Sequence, residues 1–209
     1  DSDDAWFPHA LATFAKAIEA HGRPALLIGT ATQYRGDTLP DPPANIELRA
    51  HAFPNYYTAS ALPISVVGCC FALRRDVASR LGAQFNPDRV NAEDLDLLMQ
   101  VGTADGFVWL ESPSLLAYKM AEGSAMADHR KTHAGLSHLL TKEKTQQYPG
   151  GTEHALARQH MLTRYTRSAS IGFKRSGESK LAWDLYNKTL AWNIRLGRWK
   201  YILGFPFIR

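Results

Sequence analysis

The chain has 209 residues, 45% of them hydrophobic and 21% charged, which suits one globular domain plus an appendage and excludes a disordered polymer. Its formal net charge of +4 is compatible with an anionic sugar donor, a lipid headgroup or nucleic acid, so charge alone selects none of them. The two cysteines, Cys69 and Cys70, are neighbours: in a strand they point to opposite faces and do not bridge each other, and their apolar surroundings suit a reduced, cytoplasmic protein.

No stretch reaches the roughly 18 to 20 apolar residues that span a bilayer, and no signal peptide is present. The chain opens without Met on Asp1-Ser2-Asp3-Asp4, as a fragment would. Phe7, Leu11, Phe14 and Ile18 then recur at helical spacing, predicting an apolar stripe that ends near His21-Gly22. The run 25–29 predicts a strand covered on both faces, and residues 31–63, rich in Pro, Asn and aromatics, a long loop. Val66 to Leu73 predicts a second buried strand, followed by a short helix from Asp76 to Leu81 that stops at Gly82. Beyond the Phe85-Asn86-Pro87-Asp88 turn, a helix behind Asn91 reaches Gly102, and 107–110 and 115–118 predict two more strands. Residues 121–152 read as a mobile polar stretch. From Glu153 two helical segments follow, then the basic aromatic tail Trp192 to Leu203. The expected organisation is a mixed α/β body over 1–150 and a C-terminal helical extension over 151–209.

Two acidic groups carry the chemistry. Asp1, Ser2, Asp3 and Asp4 put several carboxylates on one short turn, hard oxygen ligands of the kind that Mg²⁺ and Mn²⁺ accept against a diphosphate. The same acids also suit the N-terminus of the helix that follows. Far along the chain, Glu93-Asp94-Leu95-Asp96-Leu97 opens a helix behind Asn91. One of its acids is expected to serve the helix start, leaving two to project into a cleft, where a carboxylate can take a proton from an attacking hydroxyl.

The order of these pieces resembles glycosyltransferase family 2 from its DxD motif onward, over roughly residues 1–120. DSDDAWFP resembles the family's D-x-D-D turn. GCCFALRRDVASRLGAQFNPDRV resembles the strand, helix and turn before its acceptor site. NAEDLDL resembles its E-D motif, and SLLAYKMAEGSAM its closing strand and loop. The resemblance implies part of a GT-A fold, a mixed sheet with flanking helices, here followed by a helical hairpin. It implies that Asp1 and Asp3 hold a divalent cation, Mn²⁺ or Mg²⁺, with Asp3 the better direct ligand. It implies that Asp94 is the general base and that Glu93 beside it orients acceptor or base. The implied reaction is inverting transfer of a sugar from a nucleotide-sugar donor to a hydroxyl of a polysaccharide, lipid-linked or protein-bound glycan.

Two departures matter. Where many family members carry a metal-binding loop His, this chain has Ala121, with Glu122, His129 and His133 as nearby replacements. The half of the fold that should hold the nucleotide is not in this sequence, and a strand-rich α/β segment is expected to precede Asp1. Two other readings therefore stay open, a non-catalytic glycan- or partner-binding module and a metal-dependent nucleotidyltransferase. Nucleic acid is not an expected partner, as no nucleic-acid or other catalytic motif is present. The basic aromatic tail suits either a helix packed on the domain or a peripheral contact at the inner face of a membrane.

Overall fold

The computed structural model describes residues 4–66, 70–86, 91–120 and 128–208. The chain forms two compact units, one of residues 1–85 and 97–122 and one of residues 86–96 and 123–209.

The first unit holds a sheet of five strands among the described residues: β1 (Ala5–Trp6), β2 (Leu26–Tyr34), β3 (Arg49–Phe53), β4 (Phe71–Leu73) and β5 (Phe107–Lys119). Their order is β1-β5-β2-β4, with β3 also paired to β5. The long β5 is the spine: β2 runs parallel along one side, while β3 and β1 pair antiparallel with its first and second halves. The two strands expected at 107–110 and 115–118 are thus one. The polar gap between them is a bulge, because Ile28 pairs with Trp109 but Thr30 pairs with Ser114. Pro113 has no N–H to give the ladder, which is why the sequence reads as broken there. Within the expected loop at 31–63, β2 continues to Tyr34 and β3 forms an edge strand. That strand shows little apolar alternation because residues 49, 51 and 52 remain exposed.

Helix α1 (Ala10–Ala20) covers this sheet through most of the predicted stripe, with Phe7 and Phe14 buried and Ile18 packed beside the core, but not through Leu11. Leu11 is 76% exposed, and Ala10, Phe14 and Ala17 are the buried contacts. The alanines let the helix lie close on Leu27, Val108, Leu110, Leu115 and Leu116, with Cys70 among them as a buried thiol outside any disulfide. Gly29 is required there, since a Cβ would meet Leu115 Cδ1 at 2.7 Å and Cys70 Sγ at 2.9 Å. Helix α2 (Arg75–Leu81) ends as expected on Gly82 in the left-handed conformation. Its cap is Arg74, and Asp76 pairs instead with the Arg74 guanidinium at 2.8 Å.

Helix α3 (Glu93–Gln100) contributes its first turn to the second unit and its last turn to the first. The second unit is otherwise helical: α4 (His129–Lys144), α5 (Ala155–Arg175), α6 (Ser179–Arg195) and α7 (Trp199–Gly204). Helix α4 occupies much of the stretch expected to be mobile. Asp128 caps it, accepting from the N–H groups of Arg130 and Lys131, and Leu136, Leu139 and Leu140 form its buried face. In the tail, Tyr201 and Phe205 pack with Trp183 and Tyr186, whereas Trp199, Leu203 and Phe207 are exposed. No helix among the described residues is long and apolar enough to cross a membrane.

Candidate active site

The Glu93-Asp94 pair is held by its own unit. Asn91 is buried and donates from Nδ2 to the Thr132 hydroxyl of α4 at 2.7 Å. Ala92 adopts a left-handed φ of 70°, turning the chain into α3, and its carbonyl accepts from the Asp96 N–H at 3.0 Å. The start of α3 is therefore anchored on α4 by backbone geometry and by one buried polar contact.

The three acids of its first turn then separate by environment. Asp96 is buried, accepting from Lys142 Nζ at 2.7 and 3.0 Å and from the Tyr148 hydroxyl at 2.7 Å. This is a desolvated ion pair with its lone pairs satisfied, and it ties α3 to α4 and to the segment beyond. Glu93 is exposed. Asp94 lies between these extremes, half-buried, with Oδ1 accepting from the Leu95 N–H at 2.6 Å. Burial pushes its pKa up to about 6; the Leu95 N–H opposes this and the Glu93 charge adds to it. A carboxylate of that basicity is still ionised at neutral pH and accepts a proton more readily than an ordinary aspartate. The acid serving the helix start is thus also the one whose carboxyl burial makes more basic than an ordinary aspartate, and Asp96 is committed to structure.

At the other acidic group, Asp1 and Asp3 lie outside the described residues. Asp4 precedes β1, which is zipped to the end of β5 through Ala5–Ala117 and Trp6–Leu116 pairing. Its Oδ1 accepts from the Lys119 N–H at 3.0 Å, while Oδ2 is buried with no hydrogen-bond partner among the described residues. A buried carboxylate oxygen in that state fits a hard divalent cation, and sequence reasoning passed over it in favour of the D-x-D positions. The signal was present, as the acidic run continues into Asp4. Among the described residues, no three His, Cys, Asp or Glu side chains gather as a metal set. Ala121 and Glu122 lie outside the described residues. His133 Nε2 meets Asp184 Oδ2 at 2.6 Å, and the His129 ring packs on Phe173 at 5.0 Å.

No family model matches this sequence, and no curated protein is significantly similar to it. Solved structures are. The chain superposes on S. aureus TarS 1–349 with a TM-score of 0.55 at 15% identity, covering 92% of this chain and 54% of that one. On a second S. aureus TarS structure the TM-score is 0.52 at 15% identity, covering 90% and 33%. On TarS 1–349 in complex with UDP-GlcNAc it is 0.46 at 14% identity, covering 94% and 66%. The chain therefore spans about half the length of TarS 1–349. Its mixed sheet with flanking helices is a partial GT-A-like fold, shared at this level with TarS.

Proposed function

We propose that the chain is the acceptor-side part of a family 2-type glycosyltransferase that transfers a sugar from a nucleotide-sugar donor to a glycan or lipid-linked hydroxyl with inversion. The observation that carries this reading is Asp94, a carboxyl with pKa about 6 at the start of α3 in a fold shared with TarS, a glycosyltransferase. In this reading Asp94 accepts the proton of the acceptor hydroxyl as that oxygen attacks the anomeric carbon. Glu93, exposed beside it, orients the acceptor. Direct displacement from the face opposite the leaving group gives inversion.

Asp1 and Asp3 of the D-x-D turn would hold Mn²⁺ or Mg²⁺, with the orphaned Asp4 oxygen a further hard donor beside them. When bound, such an ion supplies Lewis-acid neutralisation of the departing diphosphate. Exposed Trp199, Leu203 and Phe207 beside Lys200 support a peripheral membrane contact that would suit a lipid-linked acceptor.

The second reading, a binding module that kept the fold, is favoured by Ala121 at the loop His position. Calorimetric titration of the full-length protein with nucleotide-sugars, with and without Mn²⁺, separates the two. Metal-linked donor binding supports the transferase; its absence leaves the binding module.

A further inference from the structure

The end of α4, the turn before α5 and the side of α6 border a cleft of about 240 Å³ within the helical unit. None of its lining residues belongs to the Glu93-Asp94 turn. Arg158 and Glu143 stand in its wall as a buried ion pair, with Arg158 Nε donating to Glu143 Oε2 at 2.5 Å and Nη2 to Oε1 at 3.4 Å. Arg158 also donates to the Pro149 and Gly151 carbonyls at 2.8 and 2.7 Å, so the same side chain fixes the turn before α5. Gln159 lines the cleft beside this pair and is only 9% exposed. Its side chain hydrogen-bonds the Glu143 carboxyl, whereas its Oε1 is buried with no hydrogen-bond partner among the described residues. Trp192 forms a half-buried wall, with Lys144 Nζ 5.9 Å from its ring centroid. Gln146, at a left-handed φ of 56° just past α4, and Thr152 add to the polar lining.

These groups select a class of ligand. A buried acceptor without a donor is unfavourable, so a molecule that fills the cleft has to bring a hydroxyl or N–H to Gln159 Oε1. Lys144 and Arg158 oppose a cation there, while Glu143 and the amide oxygens oppose an anion. An apolar ligand would desolvate Gln146, Thr152 and Gln159 without answering their hydrogen bonds. What remains is a neutral molecule dense in hydroxyl groups. Side-chain amides and the Thr152 hydroxyl both donate and accept, as such a ligand requires, and the Trp192 ring offers an apolar surface to the C–H face of a sugar. The volume lies below the roughly 300–1,000 Å³ of sites for drug-sized ligands and suits one sugar ring rather than several.

We propose that this cleft binds a single neutral sugar residue, with Gln159 Oε1 accepting from a sugar hydroxyl and Trp192 packing on the ring. The site is independent of the sugar-transfer reading and is tested without it.

The test is titration of the full-length protein, without nucleotide or metal, with glucose, galactose, mannose and N-acetylglucosamine, followed by saturation-transfer NMR and tryptophan fluorescence. Inorganic phosphate and ethanolamine are the anionic and cationic controls. At least one sugar binds saturably at about millimolar affinity, ahead of both controls. Gln159→Met, which keeps the side-chain length and removes the acceptor, weakens that binding by about tenfold or more, the effect of a lost hydrogen bond in a desolvated site. Trp192→Leu, on the half-exposed wall, weakens it similarly and carries the comparison should Gln159→Met fail to fold. Tighter binding of phosphate or ethanolamine than of any sugar, no saturable sugar binding across the panel, or sugar binding unchanged in both variants overturns the proposal.

Discussion

Gly135, in the middle of α4, lies against the backbone carbonyl of Asn91 with no room for a side chain between them. Asn91 is the residue from which the Glu93-Asp94 turn departs, so this close approach sets where the two acids begin. Gly135→Ala is expected to push the Asn91 backbone aside, costing about 1–3 kcal/mol of stability as overpacking does and lowering activity further by misplacing Asp94. Gly172→Ala on α5 is the control. A Cβ there meets nothing, and removing a helical glycine should stabilise by about 0.5–1 kcal/mol. Urea denaturation of both variants checks the opposite signs.

Asp94 and Asp96 stand two positions apart and should respond oppositely to loss of charge. Asp96→Ala leaves Lys142 without its buried partner and is expected to cost about 3–5 kcal/mol, as breaking a buried pair does. Rescue by Asp96→Ala/Lys142→Met, measured as a double-mutant cycle, would show that the cost is the stranded ammonium. An unchanged cost in the double variant would place it elsewhere.

Asp94→Asn should stabilise. With a folded pKa of about 6 against an ordinary 3.8, the folded state binds the proton more tightly than the unfolded chain. This group's contribution is therefore most favourable below about pH 4, declines as pH rises through about 6 and stays unfavourable above it. At pH 7.5 the variant should be more stable by about 1–2 kcal/mol, the solvent-discounted size of such a shift, and at pH 3.5 by almost nothing. Thermal melts of both proteins across that range check it. Equal stability at pH 7.5 would mean that the Asp94 carboxyl is not under strain.

Much of this was legible in the sequence where a single local rule governed. The αL stop at Gly82, the helix behind Asn91 and the paired helices after Glu153 follow from capping residues and apolar spacing. The rest depended on partners far along the chain. Leu11 looked like core and is exposed because Ala10 and Ala17, beside Phe14 and Ile18, take the positions that meet the sheet. Helix α4 was hidden by its polar composition, though Asp128 and the leucines after it mark it in retrospect. In the candidate site, the E-D motif pointed to Glu93 and Asp94. That Asp96 belongs to Lys142 and Tyr148, and that Asp4 carries an orphaned oxygen, needed the fold.

Activity should carry the same ionisation. If Asp94 is the base, the acidic limb of kcat/KM falls away below about pH 6, the value at which its carboxylate is half protonated. Replacement of Glu93 by Gln should raise KM for the acceptor more than it lowers kcat and shift that limb slightly downward, since the Glu93 charge contributes to the raised Asp94 pKa. A limb that does not move would remove Glu93 from the electrostatics of the base.

The most direct measurement is sugar transfer by the full-length protein and its Asp94→Asn variant, with Mn²⁺ and a panel of nucleotide-sugars, alongside donor affinity for both. The account predicts that the variant binds donor as tightly as the unmodified protein, melts higher at pH 7.5 and transfers sugar at least about a hundredfold more slowly, the lower range of a lost general base. Transfer at the normal rate by Asp94→Asn would contradict it.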